Sequence, residues 1–480
     1  MNHANAMPDI AEDEAPSDQL AEIAMPFRTP AGVLFAEVMQ DGHSEIWPIN
    51  GDKFAELIQR LQRKETGQIF PKKDLTRFID TLKAEAQFGD VVEDVHLRVA
   101  RAADRIYIDL CDPDWRVIEI DATGWRILEH SPIRFRRTAG MLPLPDPVPS
   151  GSLDALWDFL RIDDPGERLL VIAHLLGTLA GVQPFPLLYL FGSQGTAKTT
   201  ATEILGSLVD PRVSGVRSMP KSERDLFLAA QHGHLLTFDN VSTITHSMSD
   251  ALCRLATGAT FATRKNYSDA DEVYLSACNP IICNGIGHSF VRPDLADRTI
   301  TVTLSKVPDD ERQPHAAVMR AFEAARPSLL GALCAALSTG LGRQNSIAQS
   351  TPLPRMADFA LWGIACEPAY AKEEGAFLSA YQRNIRQINE ATIDEDPLAP
   401  RICEILARRD IWEGTATRLD ETLRGTSSLP VPQDWPRSAR LLSDHLRRIA
   451  PALSRIGISL RFDRRGHGRE RIIRLCREEL

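Results

Sequence analysis

Residues Pro186–Gly206 read PLLYLFGSQGTAKTTATEILG. The stretch opens with apolar residues at strand length, Leu187 to Phe191, breaks at Gly192, and resumes as an amphipathic pattern at helical spacing through Thr200, Ile204 and Leu205. That order predicts a strand, a tight loop and a helix. Gly192, Gly195, Lys198 and Thr199 then fall where a phosphate-binding loop needs them. Glycines turn backbone amides inward around phosphates, the helix start adds amides and positive dipole, a lysine reaches the outer phosphates, and a hydroxyl holds Mg²⁺. Ala197 stands where the pattern G-x-x-x-x-G-K-[ST] carries its second glycine. Alanine is the smallest replacement and is expected to suit a first helical turn. The expected ligand is ATP with Mg²⁺, cradled by Gly192, Ser193, Gln194, Gly195, Thr196, Ala197, Lys198, Thr199 and Thr200.

The 480 residues exceed what one core accommodates, so two or three domains are expected. A composition of 43% apolar and 25% charged residues is that of a soluble globular protein. The net charge of −10 excludes a protein that coats nucleic acid over its whole surface and leaves room for a local basic patch. Eight scattered cysteines, with no C-x-x-C and no zinc spacing, predict a reduced, cytoplasmic protein without structural metal. Residues 1–29 begin acidic and polar and read as a disordered tail, not a signal peptide. His174, Gln183, Pro184 and Pro186 break the long apolar run from Leu169 to Phe191, so no membrane span is expected.

Residues 30–140 mix strand-like runs with two helical patterns and read as a separate α+β domain, with a turn at Asp41-Gly42. Asp109 and Asp112, in YIDLCD, have the spacing of a metal pair but read better as carboxylates of a turn leaving a sheet. The Pro-rich stretch 141–152, MLPLPDPVPSGS, reads as a linker that lets the first domain move. After the phosphate loop, HLLTFDN ends a buried strand on Asp239, which would deliver a carboxylate to Mg²⁺ beside Thr199. Asn240 follows, where an acid would serve as base; an amide can orient a water but cannot take its proton. PIICNGI ends another strand on Asn284, expected beside the γ-phosphate and the attacking water. VRPDLADR brings Arg292 and Arg298, the latter placed to act as a finger on a neighbouring subunit's nucleotide. Between these strands a helix and a hairpin present Arg264, Lys265 and Tyr267, cations and a ring suited to a DNA strand.

GSQGTAKT, LLTFDN, PIICNGI and RPDLADR stand in the order and spacing of AAA+ ATPases. The short span and the asparagine-ended third motif resemble superfamily III helicases and the primase-helicase ATPases of phages and mobile elements. The resemblance covers about Leu153 to Ser305. It implies a P-loop ATPase core at 153–305, a DNA-contacting hairpin at Thr260 to Asp271, and a homo-oligomeric ring, with a hexamer expected. Ala197 and Asn240 depart from the family pattern.

Residues 306–397 are helical, with patterns at Glu311–Ala325, Ser328–Leu341 and Met356–Asn389, and read as a lid and connector. Residues 398–480 give three helices and a hairpin, which resembles a winged helix domain. From Arg437 to Leu480 there are twelve arginines, no lysine and five acids, a net of +7. Arg447, Arg448, Arg464, Arg465 and Arg469 are the expected contacts to duplex DNA. The whole reads as a multidomain α/β protein with three functional alternatives. It is an ATP-driven DNA helicase of a mobile replicon with replication or primase partners, a nucleotide-switched initiator or loader, or a defence ATPase that senses a partner.

Overall fold

The computed structural model describes residues 24–241, 244–264, 272–286, 293–347, 352–394, 396–426, 431, 435–465 and 470–478. The chain divides into two compact units. The first holds residues up to Arg98 together with 109–117 and 127–138. Strands β1 (Ala24–Arg28), β2 (Leu34–Gln40) and β3 (His43–Pro48) form an antiparallel sheet. Asp41 and Gly42, both at positive φ (49° and 88°), make the expected tight turn between β2 and β3. Helices α1 (Asp52–Thr66) and α2 (Lys72–Phe88) close a core with the sheet around Val38, Phe54, Ile58, Phe78 and Leu82. Strand β1 starts inside the segment expected to be a disordered tail, because Ala24 and Phe27 are buried and Ala24 pairs with Val38.

Asp109 and Asp112 lie in this unit as turn carboxylates. Asp109 accepts from Arg137 at 2.7 and 3.1 Å and from the Cys111 amide at 2.9 Å; Asp112 accepts from the Arg116 Nε at 2.6 Å and its amide at 3.0 Å. Their lone pairs are committed to the chain itself.

Residues 30–140 are not one body. Strands β4 (Val99–Ala102), β5 (Arg105–Asp109), β6 (Val117–Asp121) and β7 (Gly124–Leu128) form a sheet in that order, and residues 99–108 and 118–126 belong to the second unit. The reason is local chemistry. The Arg101 guanidinium lies 4.7 Å from the centre of the Trp362 ring, and the Ser338 hydroxyl donates to the Asp121 carbonyl at 2.7 Å.

The second unit is built on a five-stranded parallel sheet. β8 (Leu187–Phe191), β9 (Arg217–Ser218), β10 (Leu236–Asp239), β13 (Ile281–Gly285) and β14 (Thr299–Thr303) lie in the order β14-β8-β13-β10-β9. Leu187, Leu188, Tyr189 and Leu190 are fully buried, as a central parallel strand requires. Helix α3 (Pro165–Leu179) begins with Pro165 and is capped by Asp164; α4 (Lys198–Val209) follows the loop after β8. α5 (Glu223–Ala230), α6 (His246–Thr257) and the one-turn α7 (Pro293–Ala296) complete the layer with the hairpin β11 (Ala259–Arg264) and β12 (Glu272–Ala277).

The two helices expected at Glu311–Ala325 and Ser328–Leu341 are one, α8 (His315–Arg343), with Pro327 inside it. Residues 141–152 lie along this helix instead of hanging free as a linker. The Val148 amide donates to the Pro327 carbonyl at 3.0 Å, and a Cβ on Gly331 would sit 1.9 Å from the Val148 carbonyl oxygen. Only glycine at 331 permits that approach. The pattern over Met356–Asn389 splits into α9 (Ala357–Cys366) and α10 (Ala376–Asp394). Asn384 of α10 seals the edge strand β14 as a further strand would, accepting from the Thr301 amide at 3.0 Å and donating to its carbonyl at 2.6 Å.

The C-terminal region runs α11 (Ala399–Arg408), β15 (Ile411–Gly414), α12 (Ala416–Thr426), α13 (Ala439–Arg455), β16 (Ile458–Arg465) and β17 (Glu470–Arg477). β15, a strand the sequence pattern did not suggest, pairs with β17, giving an antiparallel sheet β15-β17-β16. Trp412, Leu419, Leu442, Leu446, Ile473 and Leu475 share its core.

Candidate functional site

The loop after β8 meets α4 at the C-terminal edge of the parallel sheet, where open α/β sheets bind ligands. Gly192 is obligatory: a Cβ there would sit 2.7 Å from the Thr196 hydroxyl and 2.8 Å from the Leu304 carbonyl oxygen. Gly195 has φ +86°. Ala197 is not in the first helical turn, as expected from its size, but is the N-cap of α4 in the left-handed region (φ 56°, ψ 33°). α4 has no side-chain cap, in contrast to α3 (Asp164), α5 (Ser222), α6 (Thr245) and α13 (Ser438). Its first amides are left for another acceptor. Ser193, Gln194 and Gly195 are exposed, Thr196 is buried with its hydroxyl on the Ser193 carbonyl at 3.1 Å, and Thr200 is half-buried.

Lys198 folds back over this loop, its Nζ donating to the carbonyls of Gly192 (2.9 Å) and Ser193 (2.8 Å). Burial lowers its pKa, opposed by the negative charge of Asp239. The Thr199 hydroxyl donates to the Asp239 carboxylate at 2.9 Å. These two oxygens, forty residues apart in sequence, are hard ligands converging beside the lysine, and they fit Mg²⁺.

Asn284 does not face an open cleft. It is buried on β13, the strand between β8 and β10. Its Oδ1 accepts from the Asn240 amide at 3.0 Å and its Nδ2 donates to the Thr202 hydroxyl at 2.8 Å. It ties the turn after Asp239 to α4. Asn240 itself has φ 52°, and the Val241 amide donates to the Asn284 carbonyl at 2.7 Å. Thr202 escaped the sequence reading, although it lies one helical turn beyond Lys198 and bonds the Lys198 carbonyl at 2.9 Å.

Arg298 follows α7 and contacts the Cys253 sulfur at 3.8 Å. Beside the loop lies a cavity of about 640 Å³ whose walls include Phe159, Leu160, Ala197, Thr200, Val307 and Arg312. Nothing in the spacing of these residues announces it, because they come from four separate segments.

The hairpin between Asp239 and Asn284 is present, with Arg264 opposite Glu272. Lys265, Tyr267, Arg292 and Arg469 lie outside the described residues, and Arg465 ends β16. Arg447 is exposed, pairs with Asp444 at 2.8 Å and lies 4.5 Å from the Phe462 ring centre. Arg448 approaches the His246 ring at 3.3 Å, so it meets the start of α6, not solvent alone. Arg464 stands across from Arg471, and Arg461 across from Arg474. Among the described residues no helix is long and apolar enough to cross a membrane.

Two family profiles match the chain. That of the actinomycete integrative conjugative element replication protein matches residues 153–391, and that of the C-terminal domain of the same RepA protein matches residues 398–479. No curated protein gives a match. Three apo structures of the NrS-1 C-terminal region align with 96–98% of this chain and 98–100% of theirs, at 10–12% identity and TM-scores of 0.40–0.41. A likeness at that score carries no argument about mechanism. The two profiles together span most of the chain, which belongs to the replication proteins of actinomycete integrative conjugative elements.

Proposed function

We propose that this replication protein is an ATPase that binds ATP and Mg²⁺ at the loop 192–200 and uses hydrolysis to move along and unwind DNA. The observation that carries the reading is the 2.9 Å bond between the Thr199 hydroxyl and the Asp239 carboxylate beside Lys198. Mg²⁺ held by this pair would supply charge neutralisation at the phosphates. The chain's own residues supply the rest. The uncapped start of α4 and the loop amides orient phosphate oxygens, Lys198 turns from the loop carbonyls to the phosphates, and the 640 Å³ cavity takes the nucleoside. The sheet order β14-β8-β13-β10-β9 supports an AAA+ type core, because it sets Asn284 between the lysine loop and Asp239. In that reading Arg298 acts on a neighbouring subunit of a homo-oligomeric ring.

The C-terminal succession of helices and three strands supports a winged helix on duplex DNA. Two cross-strand arginine pairs repel one another in the free chain, a cost that a polyanion removes. Asn240 favours a second reading, a nucleotide-switched initiator that hydrolyses slowly, since its amide cannot accept a proton. ATP-dependent separation of a labelled forked duplex tests the choice. Strand separation supports the motor; ATP-dependent DNA binding without separation supports the switch; neither activity refutes both.

A further inference from the structure

Asp297 precedes Arg298 and is buried at 8% exposure. Arg455, the last residue of α13, pairs with both Asp297 oxygens and donates to the Asn389 side chain at 2.9 Å. Arg355 approaches the same carboxylate at 4.0 Å. Both arginines, with Arg386 of α10, line a cavity of about 360 Å³ whose remaining wall includes Leu353, Pro354 and Ile385. Among the described residues Arg386 makes no ion pair, and Arg355 and Arg455 keep 55% and 39% of their side chains exposed. One carboxylate shares the cavity with three arginines. The excess positive charge sits in a concavity with apolar walls, which focuses its field. Planar guanidinium forks match a phosphate group by geometry as well as charge.

We infer that this cavity is a phosphate-binding site for a DNA strand, with Arg355 and Arg386 as its exposed arms and Asp297 holding Arg455 in place. A nucleic acid fits better than a small anion because the cavity lies at one end of a longer basic strip. Arg440, Arg447, Arg448 and Arg455 run along α13, and the fifteen helical steps from Arg440 to Arg455 span about 22 Å, the length of about six phosphates of one strand. The inference rests on the DNA-binding reading above and adds a contact outside the C-terminal sheet.

The test uses the full chain and fluorescence anisotropy of a labelled duplex and a labelled single strand, titrated between 50 and 300 mM KCl. Arg355→Ala/Arg386→Ala should lower the slope of log K against log salt by about 1.4 to 1.8, at 0.7 to 0.9 per lost phosphate contact. Arg386→Glu, at an exposed position, serves if the double variant does not fold, and should lower the slope by at least as much as one contact. Arg386→Lys keeps the charge and loses the fork, so it should weaken binding with little change in slope. Parental DNA binding with an unchanged slope in the double variant and in Arg386→Glu overturns the inference alone. A parent without salt-dependent DNA binding overturns it together with the reading it rests on. Loss of affinity for inorganic phosphate or for a nucleotide, with the DNA slope retained, also overturns it, since the cavity then serves a small anion.

Discussion

Replacing Ala197 by glycine separates two accounts of the loop before α4 by the sign of one number. If residue 197 belonged to the helix, glycine would cost about 0.5 to 1 kcal/mol through backbone entropy. The structure instead holds Ala197 at φ 56°, where a Cβ crowds the following carbonyl at a cost of about 1 to 2 kcal/mol. Glycine removes that strain but frees the unfolded chain by about 0.4 to 1 kcal/mol. The difference leaves a net stabilisation of about 0.5 to 1 kcal/mol. For a unit of this size the expected rise in melting temperature is ~1 °C, read by scanning calorimetry on the full chain. Ala197→Val, branched at Cβ, should melt below the parent. A lower melting temperature for Ala197→Gly, in a variant that remains folded, would refute the left-handed assignment and restore the helical one.

Lys198→Ala should abolish ATP hydrolysis and leave the melting temperature unchanged, because its amine bonds only the exposed loop's carbonyls; a parental rate would remove the lysine from the site. Asn284→Ala leaves the Asn240 amide without its acceptor, while the Thr202 hydroxyl keeps the Lys198 carbonyl, so it should cost about 1 to 3 kcal/mol in chemical denaturation. A cost below that range would mean the amide finds another partner. Burial raises the Glu167 carboxyl to about 7, against the pull of the Thr303 amide that donates to it. Its neutral form is therefore the stabilising one, present below the unfolded value near 4.5 and lost as pH rises through about 7. Between pH 5 and 8 the parent should lose more thermal stability than Glu167→Gln, and parallel pH profiles would contradict the raised value. Arg298→Ala subunits should bind ATP and hydrolyse poorly, and mixtures with Lys198→Ala subunits should regain activity; mixed assemblies without regain would rule out action across an interface.

The parallel sheet was legible because its strands are local patterns. Leu187 to Phe191 and Ile281 to Cys283 are short apolar runs that end on polar punctuation, and such runs need two covered faces wherever they sit. Lys198, Thr199 and Asp239 were legible for the same reason, since their spacing is itself the signal. What escaped was long-range packing. The role of Asn284 depends on Thr202 and on the Asn240 amide, partners that no periodicity names. The linker reading of 141–152 followed composition, but one hydrogen bond to Pro327 and one glycine at 331 lay the segment against α8. Arg448 also approaches the His246 ring at 3.3 Å, a neighbour on α6 that its charge does not announce.

The division of the early chain has a mechanical consequence. The polypeptide passes from one unit to the other at 98–99, 108–109, 117–118, 126–127 and 138–139. Load between the units is shared by several covalent strands in parallel, where a single tether would carry all of it. One protease cut within 99–138 therefore leaves two fragments that migrate together under native conditions and separate only in denaturant. Shortening the chain to begin at residue 153, where the family match starts, would not liberate an intact second unit; it would strip Arg101 from Trp362 and the Asp121 carbonyl from Ser338.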